Sequence, residues 1–179
     1  MVKQEAQFLE AFDAYADALF RHAFFRVSDR EKAKDLVADT FTKTWDYLVK
    51  GNTIDDFRPF LYRALNRLII DEYRKKKTDS LDTLLDEDDV PLGAFAELVE
   101  GSFDELAITL DAKRIPELLA AMPESYREVV VMRHIDELQP AEIAELLGEP
   151  VNTVSVRIHR GMQRLVKYAK EQKLVQNDE

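Results

Sequence analysis

The 179-residue chain contains no cysteine. That excludes disulfide bridges, thiol nucleophiles and cysteine-ligated zinc, and it suits a reducing cytoplasm. Glycine is scarce, at five residues, and forms no phosphate-cradling loop. The three histidines (His22, His134, His159) are scattered, without metal-ligand spacing. His134 reads as a packing or surface histidine. No nucleophile motif accompanies them, so no catalytic residue, metal or cofactor is expected, and an enzyme is not the expected class. No apolar run approaches the roughly 20 residues that span a bilayer, so membrane insertion is not expected. The opening MVKQEAQFLEAF is polar and helical in pattern, unlike a secretory signal. With few glycines and no alternating strand pattern, the expected fold is all-α.

Acid is plentiful. The formal net charge is −10, which sits poorly with a nucleic-acid partner until its distribution is read. Residues 79–111 carry eleven acids and no Lys or Arg; the rest of the chain carries 25 basic residues against 24 acidic ones. Two stretches are distinctly basic. Residues 58–77 hold seven basic and two acidic residues, and 151–173 hold six basic and one acidic. Nucleic-acid binding follows such local patches rather than the total.

Periodicity divides the chain into two helical domains, 1–78 and 112–179, joined by an acidic linker over 79–111. The first domain reads as helices over about 3–27, from the Ser28-Asp29 cap to Gly51-Asn52, and over about 57–77. Pro91, Gly93 and Gly101 interrupt the linker, where Leu81, Leu84, Leu85 and Phe95 suit short amphipathic pieces. As a flexible coil, some 33 residues reach about 30 Å. That is close to one DNA turn of about 35 Å. The second domain reads as helices over roughly 112–121, 124–135, 140–147 and 151–173, with Pro123 and Pro140 in first turns.

The last two of these, separated by Gly148-Glu149-Pro150, have the layout of a helix-turn-helix, whose second helix enters the DNA major groove. At about 100° per residue, Val151, Val154, Ile158, Gly161, Met162, Leu165 and Ala169 share the face that packs inward. Asn152, Val156, Arg160, Gln163 and Lys167 lie opposite, with Thr153 and His159 beside them and Ser155 and Arg157 on the flanks. Arg binds guanine bidentately, Asn binds adenine likewise, and an exposed Val meets a thymine methyl. Arg164, Lys167, Lys170 and Lys173 suit phosphates.

In the first domain, Leu36, Phe41 and Trp45 lie on an apolar stripe, while Asp35, Asp39 and Lys43 form a polar ridge. The helix after it interleaves Arg58, Arg63, Arg67, Arg74 and Lys75 to Lys77 with Phe57, Phe60, Tyr62 and Tyr73. Cations beside aromatic rings suit single-stranded DNA, although such mixtures are more often plain amphipathic helices.

Three segments, in this order, resemble the sigma-70 family, in particular the two-domain extracytoplasmic-function (group 4) sigma factors. They are DLVADTFTKTW, FRPFLYRALNRLIIDEYRKKK and MPESYREVVVMRHIDELQPAEIAELLGEPVNTVSVRIHRGMQRL. The resemblance covers roughly residues 8–77 and 112–170. It implies a transcription initiation factor that binds core RNA polymerase through the β′ clamp helices and the β flap. It also implies recognition of promoter −10 and −35 DNA elements, control by an anti-sigma factor, and a linker threaded toward the polymerase active-site channel. By position, Asp35, Leu36, Ala38, Asp39, Phe41 and Trp45 match the polymerase-binding segment. Phe57, Arg58, Asn66, Arg67, Asp71, Arg74 and Lys75 match the −10 helix, and the loop from Gly51 to Asp56 matches the one that captures a flipped base. Asn152, Thr153, Ser155, Val156, Arg157, His159 and Arg160 match the −35 readers.

The chain departs from the family pattern at a few positions. Ala38 stands where Gln is usual. Asn66-Arg67 replaces an Arg-Asn pair. Ser155 and Val156 replace a basic residue and a serine, which predicts atypical −35 specificity. Gln139 replaces a Ser or Thr cap, which predicts a weaker cap. The residues alone also fit a stand-alone helix-turn-helix regulator, marked by duplex binding without polymerase. The departures at Ala38, Ser155 and Val156 leave open a sigma-like protein that binds polymerase or a partner without initiating.

Overall fold

A computed structural model of the chain describes residues 2–79 and 114–176. Among these residues there are seven helices and no strand. The chain divides into two compact units, Met1–Leu84 and Leu85–Glu179. The expected acidic linker, apart from Asp79, lies outside the described residues, as do Ala112 and Lys113 at the start of the expected fourth helix.

The first unit holds α1 (Val2–Val27), α2 (Arg30–Val49) and α3 (Phe57–Asp79), each packed against the other two. Ser28 and Asp29, expected together as a cap, divide the work. Ser28 closes α1 in the left-handed region, at φ 55°, with its N–H donating to the Phe24 carbonyl at 2.8 Å. Asp29 is extended, and its carboxylate accepts from the Lys32 N–H at 3.0 Å, capping α2. Gly51 ends that helix at φ 89°, a conformation that costs glycine little. The Asp56 carboxylate then accepts from the Arg58 N–H at 3.0 Å at the start of α3.

Leu19, Leu36, Leu61, Leu65 and Ile69 fill the core between the three helices. Thr40 and Thr44 are buried on α2, but each hydroxyl donates at 2.7 Å to the carbonyl four residues before it, so neither hydroxyl is stranded.

The second unit holds α4 (Ile115–Ala121), α5 (Glu124–His134), α6 (Pro140–Leu147) and α7 (Val151–Gln176). Helix α7 packs against each of the other three. Val129, Met132, Ile143, Ala144 and Val154 join α5, α6 and α7 in one cluster. Gly148 ends α6 at φ 68°, ψ 31°, and the N–H of Glu149 donates to the Ala144 carbonyl at 3.1 Å. This left-handed turn brings α7 back across α6.

The start of α6 at Gln139 uses a second residue. Glu142 reaches back, and its carboxylate accepts from the Gln139 N–H at 2.7 Å, one arm of a capping box. Gly161 lies where α7 crosses α5. A Cβ there would stand 2.6 Å from Val130 Cγ2 and 3.3 Å from the Tyr126 carbonyl oxygen, so the crossing needs hydrogen at that position.

Candidate nucleic-acid and polymerase interfaces

The first turns of α7 stand clear of the core. Asn152, Thr153, Ser155 and Val156 are exposed, while Val154 is fully buried beneath them. Val151, expected on the packed face, is 45% exposed at the first residue of α7. His159 and Arg160 are half-buried, and the Arg160 Nε is buried with no hydrogen-bond partner. The expected −35 residues other than Arg157 thus lie on or beside one surface of a helix that follows a tight turn.

Arg157, expected among the −35 readers, has partners within its own unit. Its Nη1 donates to both carboxylate oxygens of Glu149 at 2.8 and 2.7 Å, and its Nη2 donates to Glu128 Oε2 at 3.2 Å and to the Ser125 carbonyl. The side chain is turned inward to these partners rather than outward to solvent. Arg164, expected at phosphates, instead lies over the Tyr126 ring at 4.9 Å and holds α7 to α5.

On α3, Arg67, Asp71, Arg74 and Lys75 are exposed, and Arg63 one turn earlier extends the same stripe. Arg74 and Asp71 lie 3.7 Å apart in a mostly solvated pair. Phe57 and Arg58 are half-buried at the start of the helix. Asn66, expected on the −10 helix, points inward. It is 6% exposed, and its Oδ1 accepts from Nη1 of the fully buried Arg26 at 3.1 Å.

The aromatic platform is also smaller than expected. Tyr62 is buried edge-on to His22, and the Tyr73 hydroxyl donates to the Arg26 carbonyl. Phe60 keeps partial exposure and packs 5.2 Å from Tyr47, itself 39% exposed. Tyr47 adjoins the loop from Gly51 to Asp56, where the Asn52 side-chain amide donates to its carbonyl at 2.9 Å. The repeat of apolar residues hides Arg26. A fully buried arginine at the end of an aromatic-rich helix has no local signature.

The polymerase-binding expectation divides by depth. Asp35, Ala38 and Asp39 are exposed on α2, whereas Leu36 and Phe41 are buried and serve the core. Trp45 is 37% exposed and packs 5.1 Å from Phe8. An open groove of about 760 Å³ between α2 and α3 is lined by Asp35, Ala38, Asp39, Lys43, Asp71 and Lys75, among others. It brings residues of the expected polymerase ridge and of the −10 helix into one neighbourhood. At its edge Lys32 and Glu72 pair at 3.2 Å, tying α2 to α3.

Comparison with known proteins agrees with this arrangement. Residues 11–78 match the family description Sigma-70 region 2, and residues 112–165 match Sigma-70, region 4. The chain is 28% identical over 167 residues to the ECF RNA polymerase sigma factor SigW of Bacillus subtilis, spanning 92% of this chain and 89% of that protein. It is 26% identical over 144 residues to RNA polymerase sigma factor SigV of the same organism, spanning 80% of each.

Among solved structures, it shares its fold with sigma factor RpoE of Bartonella quintana, solved with the anti-sigma factor NepR. There the TM-score is 0.68 at 20% identity, over 92% of this chain and 97% of that one. It also shares its fold with CnrH, solved with the cytosolic domain of CnrY, at a TM-score of 0.64 and 24% identity, over 93% and 90% of the two chains. With both sigma-70 regions matched in order on the two helical units, the chain belongs to the sigma-70 family, in its extracytoplasmic-function group.

Proposed function

We propose that this sigma factor binds core polymerase through the exposed α2 ridge of Asp35, Ala38 and Asp39, with Trp45 at its end. In this reading the α3 stripe of Arg67, Asp71, Arg74 and Lys75 meets the melted −10 strand. The exposed first turns of α7 (Asn152, Thr153, Ser155, Val156), with His159 and Arg160 beside them, read the −35 duplex. As a sigma-70 family member, the chain is a transcription initiation factor that directs core RNA polymerase to promoters. It has no chemistry of its own to perform and works in the cytoplasm beside the polymerase. Residues 1–78, 79–111 and 112–179 form domain 2, an acidic linker toward the active-site channel, and domain 4.

The observation that carries this reading is the exposure of Asn152, Thr153, Ser155 and Val156 shortly after a left-handed Gly148 turn. A helix so placed offers its N-terminal side chains to base edges. Its charge pattern agrees, because basic residues outnumber acids on α3 and α7 while 79–111 holds eleven acids and no base. We further propose control by a protein antagonist, since the related RpoE was solved with the anti-sigma factor NepR. Among the described residues no helix is long and apolar enough to cross a membrane.

The test is run-off transcription with the cognate core polymerase on fragmented genomic DNA, mapping RNA 5′ ends. Ends that share upstream −10 and −35 elements, and that Arg160→Ala abolishes, are the expected result. Core binding without transcripts identifies a protein that occupies polymerase without initiating. Loss of both core binding and transcripts, with duplex DNA still bound, identifies a stand-alone regulator.

A further inference from the structure

Arg157 stands at a position where the family resemblance places a −35 reader, yet its hydrogen-bonding capacity is already taken up. A guanidinium offers five N–H donors, two on each terminal nitrogen and one on Nε. Here Nη1 serves both oxygens of Glu149, and Nη2 serves Glu128 and the Ser125 carbonyl. The remaining Nε is buried. No pair of N–H groups is left to grip O6 and N7 of a guanine.

The partners are drawn from separate elements. Ser125 and Glu128 belong to α5, Glu149 belongs to the turn between α6 and α7, and Arg157 itself is on α7. The side chains of Arg157 and Glu128 are only 17% and 12% exposed. Withdrawing the guanidinium to meet DNA would break its ion pair with a largely buried carboxylate, which is unfavourable. Both carboxylates pair with the one guanidinium, so its charge is already countered where a phosphate would need it.

We propose that Arg157 is a positioning residue for −35 recognition. It fixes the angle at which α7 leaves the helix-turn-helix turn, and it touches neither base nor phosphate. The inference rests on the reading of α7 as the −35 helix. Asn152, Thr153, Ser155, Val156 and Arg160 are then the residues that meet DNA, and their aim depends on the Arg157–Glu149 bridge behind them.

The test measures promoter affinity of the reconstituted holoenzyme across a salt series. The chains are the wild type, Glu149→Gln, Arg157→Gln, the double variant of these two and Arg160→Ala, each checked for folding by its thermal transition. Removing an acid near DNA tightens binding if nothing else changes. The inference expects the reverse. Glu149→Gln weakens promoter binding roughly tenfold, the worth of about one good base contact. Its salt dependence stays that of the wild type. The double variant Glu149→Gln/Arg157→Gln is no weaker than Arg157→Gln, because both act on one bridge.

If Glu149→Gln tightens binding, Arg157 was being withheld from DNA and the inference is overturned. It is overturned equally if folded Arg157→Gln flattens the salt slope by about 0.9, the signature of one lost phosphate contact. The Arg160→Ala chain, with a scrambled −35 sequence, separates the two levels. If neither weakens binding, the reading of α7 itself fails and the inference falls with it. If both weaken it while Glu149→Gln tightens it, only the role of Arg157 is lost.

Discussion

Asn66 illustrates how much one side chain's direction decides. Local pattern places it beside Arg67 on a basic helix, and the resemblance gives both a −10 role. In the structure Arg67 is exposed, while Asn66 turns inward to Arg26. Asn66→Ala removes an acceptor from a fully buried guanidinium, which costs about 1–3 kcal/mol. The expected outcome is a lower melting temperature for the first unit, with −10 preference unchanged once the loss is compensated by a lower assay temperature. Gly161→Ala is a second case. Its Cβ meets Val130 and the Tyr126 carbonyl at the α5–α7 crossing, and overpacking of this kind costs about 1–3 kcal/mol. Chemical denaturation of the variant measures it.

Neither position can be resolved from the chain alone. Gly161 is legible as an inward-facing residue, because 3.6-residue periodicity assigns faces. The distance across the face depends on a neighbouring helix that periodicity does not name. Arg157 escapes a local reading for the same reason, since its partners are eight residues away across a turn and some thirty residues away on α5.

At the scale of elements, sequence and structure agree closely. Helices α2 and α6 end where Gly51 and Gly148 stop them, and Pro140 marks the start of α6. Breakers act locally, so they are readable locally. Exposure within an element is less readable. The α2 stripe is core at Leu36 and Phe41, as its periodicity predicts. The exposed Asp35 and Asp39 remain, and charge reversal there (Asp35→Arg with Asp39→Arg) is expected to abolish pull-down of core polymerase. Exposed substitutions of this kind shift stability by about 0.5 kcal/mol or less, so the far-ultraviolet melt is expected to stay near that of the wild type. At α6, Glu142→Ala removes the back-bond to Gln139, and a cap of this kind is worth about 1 kcal/mol. Its readout is the midpoint of urea unfolding.

For the whole molecule, charge is the organising quantity. The chain is net −10, yet outside residues 79–111 it is nearly balanced, and its two basic stretches lie on the helices proposed to meet DNA. Replacing the eleven acids of 79–111 by their amides makes the chain net positive by one. Free of polymerase, that variant is expected to bind duplex DNA several-fold more tightly at low salt, with the difference fading as salt screens it. Fluorescence anisotropy against a labelled promoter fragment reads both effects.

Leu9, Phe12 and Trp45 leave 56%, 45% and 37% of their surfaces uncovered on α1 and α2 of the first unit, with Phe8 packed against Trp45. Apolar surface left in water is a liability for solubility. A population of this factor not engaged with any partner carries that liability at every moment. Its tolerated free concentration is then set by colloidal behaviour as much as by binding constants. The acidic excess works against clumping, and lowering the pH toward the isoelectric point near 4.9 withdraws that protection. Light scattering of the purified chain is expected to rise sharply on that approach, and environment-sensitive dyes are expected to brighten on the native protein well before it unfolds.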